Sequence, residues 1–218
     1  MKTLKRNLLL AVLLTGGVFA FSECTKESVV DGVQVPSDTK SLNANIQTGS
    51  NSIDATTTQN TATGYLSDCI ASFAIEPLST SETDALITMR EEELLAHDVY
   101  IQLYSQYKIP VFNNISKSET QHSEAIGTLL LKYGIADLAA NHVAGVFVNS
   151  GLQALYTNLM AQGSTSLNSA LSVGATIEDL DINDLHNHIA ADVDNQDILF
   201  VFDNLEKGSR NHLRSFNM

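Results

Sequence analysis

Glu119 and His122 are the residues whose types and spacing best suit metal chemistry in this sequence. On a helix, side chains three positions apart lie about one turn apart on the same face, so a carboxylate oxygen and an imidazole nitrogen can reach one ion. Such a Glu-x-x-His unit is typical of carboxylate-bridged metal sites in four-helix bundles. A solvated pair on an exposed face has the same spacing, so the interpretation depends on inward ligands from other helices.

A first additional ligand is predicted on helix A, over residues of about 81–107. Apolar residues recur along this helix at alternating steps of three and four, and Glu93 falls within that seam. A buried, unpaired carboxylate is costly, so Glu93 needs a cation or a hydrogen-bonding partner. Glu91 and Glu92 are expected to be solvated, although a one-residue shift in helical phase would exchange Glu92 for Glu93.

Helix B, predicted at about 112–133, carries Glu119 and His122 on the same face as its apolar residues. Pro110 is expected to interrupt the helix between A and B, because it lacks an N–H donor and disfavours the α region in the residue before it. The short connection makes the two helices antiparallel neighbours, which brings Glu93 and Glu119 to comparable depth.

Helix C, predicted at about 166–191, contributes two further acids. Glu178 and Asp181 are three residues apart and lie on the side of Gly174, whose small size would leave room for an ion. Glu178 is therefore a candidate ligand, and Asp181 is a second candidate.

Helix D, predicted at about 196–216, carries His212 beside its apolar seam. A hydrogen-bonded core histidine would explain a single His at this position, so its assignment depends on the ligands from the other helices. Between B and C the sequence predicts a long crossover with a short amphipathic helix, in which His142 is expected to be solvated.

The predicted ligand set combines three glutamates and two histidines from four helices. Carboxylates can bridge two cations while imidazoles complete each coordination sphere. This mixture suits iron or manganese better than calcium or a thiolate zinc site. Two iron ions are the leading expectation, with manganese or a single metal ion as alternatives.

The composition supports a helical domain with an acidic surface. The chain has 218 residues, 44% of them hydrophobic, which suffices for one well-buried domain. Aromatic and β-branched strand runs are scarce, so helices are favoured. The net charge of −13 argues against a nucleic-acid partner. It suits either a cation binder or an acidic surface kept for solubility.

The N-terminal segment has the pattern of an export signal. Residues 1–23 comprise a basic head and an apolar core at about 8–21, which is too short for a comfortable membrane span. Cys24 follows directly and resembles the lipid-attachment cysteine of a bacterial lipoprotein, with ordinary secretion as the alternative. The protein is therefore expected to be exported and anchored to a membrane of the cell envelope through lipidated Cys24, in the periplasm or at the outer membrane.

Two further regions follow the signal. Residues 24–75 are assigned to the lipid-attachment cysteine and a disordered linker, because their Ser, Thr, Asn and Gly content offers little apolar surface to offset the entropy of ordering. Residues 76–218 are assigned to the helical domain. If Cys24 is acylated, Cys69 has no intramolecular partner, so no disulfide is expected.

Four segments carry a family resemblance: residues 90–100 (REEELLAHDVY), 111–122 (VFNNISKSETQH), 173–182 (VGATIEDLDI) and 208–216 (GSRNHLRSF). Together they resemble a bacterial family of the ferritin-like superfamily, the domain of unknown function 2202 (DUF2202), over about residues 76–216. The resemblance implies an all-α fold: a ferritin-like antiparallel four-helix bundle with a long crossover that contains a short extra helix between helices B and C.

The resemblance also bears on individual residues. In ferritins and rubrerythrins the helix A ligand lies seven residues before a tyrosine that hydrogen-bonds within the site, and Glu93 and Tyr100 have this relation. Ferritin-like di-iron sites usually carry Glu-x-x-His on two helices, whereas Ser209 stands where the second such Glu would be. Asp181 could replace that carboxylate, the site could hold one metal or two unequal ones, or metal binding could be vestigial.

The leading functional expectation is an envelope-located metal-binding protein with redox activity, such as metal oxidation or peroxide reduction. In that scheme Glu119 and Glu178 bridge the ions, while Glu93 is terminal and His122 and His212 each complete one ion. Tyr100 would orient a carboxylate from outside the ligand set.

The alternative expectation is a non-enzymatic bundle that serves as an interaction or structural module. Its buried polar residues would then pair with one another, and Glu93 and Glu178 would have Arg, Lys or His partners. Arg90, Arg210 and Arg214 are available for such pairing. The oligomeric state is not indicated by the sequence.

Overall fold

The structure, a computed structural model, describes residues 66–191 and 193–217, and within them the chain is all-helical. Helix α1, as far as it is described, covers residues 66–72. The longer helices are α2 (Thr80–Tyr107), α3 (Pro110–Lys132), α4 (Ser150–Gly163), α5 (Leu167–Ala191) and α6 (Gln196–Phe216). Predicted helices A to D correspond to α2, α3, α5 and α6, and α4 is the short helix of the crossover. The predicted all-α class is confirmed.

Helix α2 begins with a capping box, in which the Ser79 hydroxyl accepts the Glu82 N–H at 3.1 Å and the Glu82 carboxylate accepts the Ser79 N–H at 2.8 Å.

Helices α2 and α3 meet at a two-residue connection. Lys108 then adopts a left-handed conformation with φ of 58°. Pro110 opens α3 instead of lying before it, because the first residue of a helix has no intrahelical acceptor for its N–H.

The helices pack as two hairpins within a bundle. Residues 108–109 alone join α2 to α3, so these helices run antiparallel, and His122 on α3 reaches Glu93 on α2. A short connection also joins α5 to α6, and Phe216 at the end of α6 lies against Gly174 near the start of α5.

The buried apolar side chains form two clusters that are separated along the bundle. One cluster includes Leu86, Ile126 and Phe202, and the other includes Tyr100, Phe112 and Val173. Each of the four long helices contributes to both clusters, and the segment between its two contributions carries Glu93 in α2, Glu119 in α3, Glu178 in α5 and His212 in α6. The polar residues therefore occupy a layer between two apolar cores.

The crossover is held against α2 by buried acids. Glu91 is 5% exposed and accepts the backbone N–H groups of Val148 at 2.6 Å and Asn149 at 2.9 Å. The expectation that Glu91 is solvated is therefore wrong. Its carboxylate satisfies donors that the irregular backbone before α4 leaves without helical partners.

Asp98 makes a second attachment of the crossover to α2. This buried carboxylate accepts the Gly145 N–H at 2.7 Å, lies 2.8 Å from His142 Nε2 and lies 3.0 Å from His97 Nδ1. Burial raises the pKa of Asp98, but the hydrogen bonds from His97, Gly145 and His142 outweigh it and leave the pKa below its usual value. His142 is thus paired with Asp98, in contrast to the expected solvated side chain.

The packed domain begins before residue 76. Within the segment assigned to the linker, α1 buries Cys69 and Ile70 against the first apolar cluster. The Lys132 ammonium donates to the carbonyl oxygens of Ile70 at 2.8 Å and Phe73 at 3.0 Å, and it pairs with Asp197 at 2.6 Å. These contacts fix the chain before α2 to the bundle.

Cys69 is disulfide-bonded, so the expectation of a thiol without a partner is wrong. Its partner lies outside the described residues, as do the predicted signal segment and the lipid attachment at Cys24. None of the helices that the structure describes is both long enough and apolar enough to cross a membrane.

Candidate metal centre

Five predicted ligands meet in the polar layer between the two apolar clusters. They come from four helices: Glu93 on α2, Glu119 and His122 on α3, Glu178 on α5 and His212 on α6. The three glutamates are each 1% exposed and His212 is 4% exposed. Each helix presents its ligand on the inward face because the residue replaces one apolar position of the seam.

Glu93, Glu119 and His122 form the first triad. The Nδ1 atom of His122 lies 2.9 Å from Glu119 Oε2 and 3.2 Å from Glu93 Oε2. One ligand atom from each residue lies within 4.8 Å of the other two, which is close enough for a single ion to contact all three.

Glu119, Glu178 and His212 form the second triad. The Nδ1 atom of His212 lies 3.0 Å from Glu119 Oε1 and 3.3 Å from Glu178 Oε2, and the ligand atoms again lie within 4.8 Å of one another. Glu119 is therefore common to both triads, with one carboxylate oxygen facing each histidine. The His122 and His212 rings stack with their centroids 5.5 Å apart.

Tyr100 adjoins the second triad. Its hydroxyl donates to Glu178 Oε1 at 2.5 Å and contacts the Gly174 carbonyl oxygen at 3.3 Å. Burial and the charge of Glu178 raise the pKa of Tyr100 well above its usual value, so the tyrosine keeps its proton and acts as a donor. Tyr100 thus fixes one oxygen of Glu178 and leaves the other oxygen facing His212.

Asp181 and Ser209 form a pair beside the triads. The Ser209 hydroxyl donates to Asp181 and also contacts the Leu205 carbonyl oxygen at 3.1 Å. Asp181 belongs to neither triad in this arrangement. Burial and the charges of Glu93 and Glu178 raise the pKa of Asp181 well above its usual value.

Two glycines define the space around the cluster, and neither has a role that the sequence predicted. A Cβ atom on Gly174 would lie 2.5 Å from the Phe216 ring, so Phe216 fills the space that we expected to hold an ion. A Cβ atom on Gly208 would lie 2.7 Å from His122 Nε2. The ring of His122 therefore fits only because residue 208 has no side chain, a role that sequence reasoning missed.

Burial raises the proton affinity of Glu93 and Glu178, the two glutamates that each belong to only one triad. It raises the pKa of Glu93 to about 8, although His122 opposes the shift. Burial and the charge of Glu119 raise the pKa of Glu178 to about 7, against hydrogen bonds from His212 and Tyr100. Both groups are costly to ionise unless a cation is present.

Glu119 has the opposite tendency because it lies between two imidazoles. Burial raises its pKa, but His212 and His122 outweigh that effect and leave it below the usual value. Burial lowers the pKa of His122, but the charges of Glu93 and Glu119 raise it well above the usual value. Glu119 is therefore the one carboxyl group of the two triads that favours the ionised state.

The arginines considered as partners for the buried glutamates have other contacts. Arg90 Nε lies 3.2 Å from Asp137, Arg210 binds Glu206, and Arg214 donates to Asn211. The expectation that Glu92 is solvated is also wrong, because Glu92 is half-buried and its Oε2 atom is buried without a hydrogen bond.

The fold and this cluster define an all-helical protein with two buried carboxylate and histidine triads. The chain belongs to the DUF2202 family, described as an uncharacterized protein domain, which matches residues 82–218. It is similar to Uncharacterized protein MJ0754 of Methanocaldococcus jannaschii, with 50% identity over 147 residues that cover 67% of this chain and 79% of that protein. It is also similar to the crystal structure of hypothetical protein MJ0754 from Methanococcus jannaschii, with a TM-score of 0.65, 50% identity and coverage of 66% of this chain and 82% of that chain.

Proposed function

We propose that the protein is a ferritin-like metal-binding protein whose centre holds two ions, most favourably iron. The observation that carries the proposal is the sharing of Glu119 between two triads, each with its own second glutamate and its own histidine. A carboxylate that offers one oxygen to each of two sites is the arrangement by which di-iron and di-manganese proteins bridge their metals.

The chemistry of the donor atoms supports a metal at this position. Three carboxylates and two imidazoles are ligands that suit iron and manganese, and no thiolate is among them. Glu93 Oε1 is buried and accepts no hydrogen bond, which leaves an acceptor that a cation would satisfy. The raised proton affinity of Glu93 and Glu178 has the same cause, since buried carboxylates require a positive partner.

The geometry supports a specific assignment of roles. Glu93 and His122 would hold one ion, Glu178 and His212 would hold the other, and Glu119 would bridge them. This scheme differs from the sequence expectation in having one bridging glutamate instead of two. Tyr100 would fix the orientation of Glu178 from outside the ligand set.

The reaction class we propose is redox chemistry, such as metal oxidation or peroxide reduction. A bound iron or manganese pair would supply the electrons for such chemistry, and peroxide would accept them. The protein's own contribution is a water-poor layer between two apolar cores, in which the carboxylates and imidazoles are held in place. Asp181, paired with Ser209 where a fourth carboxylate is usual, would take part as an additional acid next to the centre.

Metal stoichiometry tests the proposal. Full-length protein purified without chelators is titrated anaerobically with Fe²⁺, and bound iron is counted after gel filtration. We expect two ions in the wild type, none firmly bound in Glu119→Gln, and a single ion in Glu178→Gln. Glu124→Gln, an exposed change on the same helix as Glu119, is the matched control and should bind as the wild type does. Negligible iron and manganese in the wild type would refute the proposal.

One observation favours the alternative of a structural or interaction module with a vestigial site. The triads are internally paired, with His122 between Glu93 and Glu119 and His212 between Glu119 and Glu178. Such a network can be stable without an ion. The alternative predicts that Glu119→Gln lowers the free energy of unfolding of chelator-treated protein while metal content stays negligible throughout the series.

We further propose that the protein is exported to the cell envelope, with attachment through lipidated Cys24 as a separate proposal that a disulfide between the two cysteines of the chain would exclude. The basic and apolar pattern of residues 1–23 supports export. The disulfide at Cys69 also fits an oxidising compartment. The chain has two cysteines, so Cys24 cannot be both lipidated and bonded to Cys69. The mass of the mature protein separates lipidation from an intramolecular disulfide.

A further inference from the structure

A cavity of about 100 Å³ lies beside the triads, between α2, α4 and α5. Its apolar lining residues are Leu95, Ala96, Leu152, Leu155, Ile177 and Leu180, and its acidic lining residues are Glu92, Asp181 and Asp184. We call this cavity the Glu92 pocket. Asp181 links it to the candidate centre, because Asp181 accepts the hydrogen bond of Ser209, one helical turn before His212.

The Glu92 pocket contains an unsatisfied acceptor. Glu92 Oε2 is buried and accepts no hydrogen bond. None of the lining residues is basic, and the carboxyl groups of Asp181 and Asp184 offer further acceptors for a donor on the same side. A buried acceptor without a donor is unfavourable, so the pocket favours a ligand that brings a hydrogen-bond donor and a positive charge.

The walls of the Glu92 pocket restrict the kind of cation. A hard metal ion prefers about six oxygen ligands, whereas the walls are the hydrocarbon side chains of four leucines, an isoleucine and an alanine. Leu180 is 40% exposed, which makes an apolar surface accessible on this side of the bundle. By the volume that one water needs, about 10–15 Å³, the cavity is large enough for a short alkyl chain.

We propose that the Glu92 pocket binds a small organic cation, a primary ammonium group on a short alkyl body. The ammonium donates to Glu92 Oε2 and compensates the charge of the Glu92 carboxylate, while the alkyl body lies against Leu152, Leu155 and Ile177. The ligand class follows from the pocket itself and does not depend on metal in the triads. The test therefore uses metal-free protein.

The probe is n-butylammonium, compared with n-butanol, which has a similar body and no charge. Binding is measured by NMR titration of the full chain at about pH 8.5, where an alkylamine is still protonated. Glu92→Gln keeps the size of the side chain and removes its charge, and Leu155→Trp fills the pocket. Glu124→Gln removes an exposed charge from α3 and serves as the matched control.

We expect n-butylammonium to bind the wild type and Glu124→Gln alike, with shifts at residues that line the Glu92 pocket. Glu92→Gln should weaken its binding about tenfold or more, since a charge-assisted hydrogen bond is lost. The weaker binding of n-butanol should be unchanged by Glu92→Gln, and Leu155→Trp should abolish the binding of both. Equal affinity of the wild type and Glu92→Gln for n-butylammonium, or no binding to the wild type, would overturn the proposal.

Discussion

At the scale of single residues, the spacing of ligands along each helix was predictable and their pairing across helices was not. Glu93, Glu119 and His122 each fall on an inward face that a 3.6-residue period identifies. That Glu119 alone is shared by both triads depends on the relative rotation of four helices, which no local pattern encodes. The role of Gly208 was missed for the same reason, although a small residue four positions before His212 was a visible signal.

Gly208→Ala is expected to weaken metal binding through His122. The added methyl group would lie 2.7 Å from His122 Nε2, so the ring must leave the position in which its Nδ1 atom faces Glu119 and Glu93. We expect at least a tenfold loss of Fe²⁺ affinity in one of the two sites, as measured by anaerobic titration.

Gly127→Ala is the matched control for Gly208→Ala, since it lies within α3 and its Cβ atom would meet Arg90 at an ordinary 3.4 Å. It should leave metal binding unchanged and raise the free energy of unfolding by about 0.5–1 kcal/mol, because alanine favours the helix. Unchanged iron affinity in Gly208→Ala would show that His122 can shift without consequence.

At the scale of elements, the four long helices were predicted almost to the residue, whereas α1 and the attachment of the crossover were not. Helical periodicity and the Pro110 and Gly163 positions locate α2 to α6, because both signals are local. The crossover is instead fixed by Glu91 and Asp98, two acids of α2 that bind backbone groups more than forty residues away. From the sequence these acids resemble residues of a solvated helix face. Their partners are backbone N–H groups of a distant loop, and a backbone group leaves no signal in the sequence.

Asp98→Ala tests how strongly the crossover depends on this attachment. Removal of the carboxylate leaves the Gly145 N–H and His142 without their acceptor, so we expect a loss of about 1–3 kcal/mol in the free energy of unfolding. Urea denaturation measures the loss, and amide exchange at Gly145 should accelerate. Asp179→Ala, an exposed change on α5, should stay within about 0.5 kcal/mol of the wild type. Equal stability of the two variants would contradict the assigned role of Asp98.

At the scale of the whole molecule, the buried cluster couples stability to pH. The pKa values of Glu93 and Glu178, about 8 and about 7, lie above the usual value of a glutamate, and that of His122 is raised as well. The folded protein therefore binds more protons than the unfolded chain between about pH 5 and 8, and its stability falls as pH rises through this window. A bound metal would reverse this trend, because its ligands must be deprotonated.

The prediction is that chelator-treated protein loses free energy of unfolding from pH 5 to pH 8, as followed by urea denaturation. Glu93→Gln should reduce the slope, because it removes one of the titrating groups. Protein loaded with Mn²⁺ should gain stability relative to the chelated form as pH rises. A metal-free stability that increases over the same range would contradict the pKa directions of Glu93 and Glu178.

The two triads differ in how they depend on the folded chain. Glu93, Glu119 and His122 all belong to the α2–α3 hairpin, whereas the second triad joins Glu119 of that hairpin to Glu178 and His212 of the α5–α6 hairpin. An ion in the first triad would need only one hairpin to be formed. An ion in the second triad would bind only while the two hairpins are packed together, so metal binding would stabilise their association and their separation would release the ion.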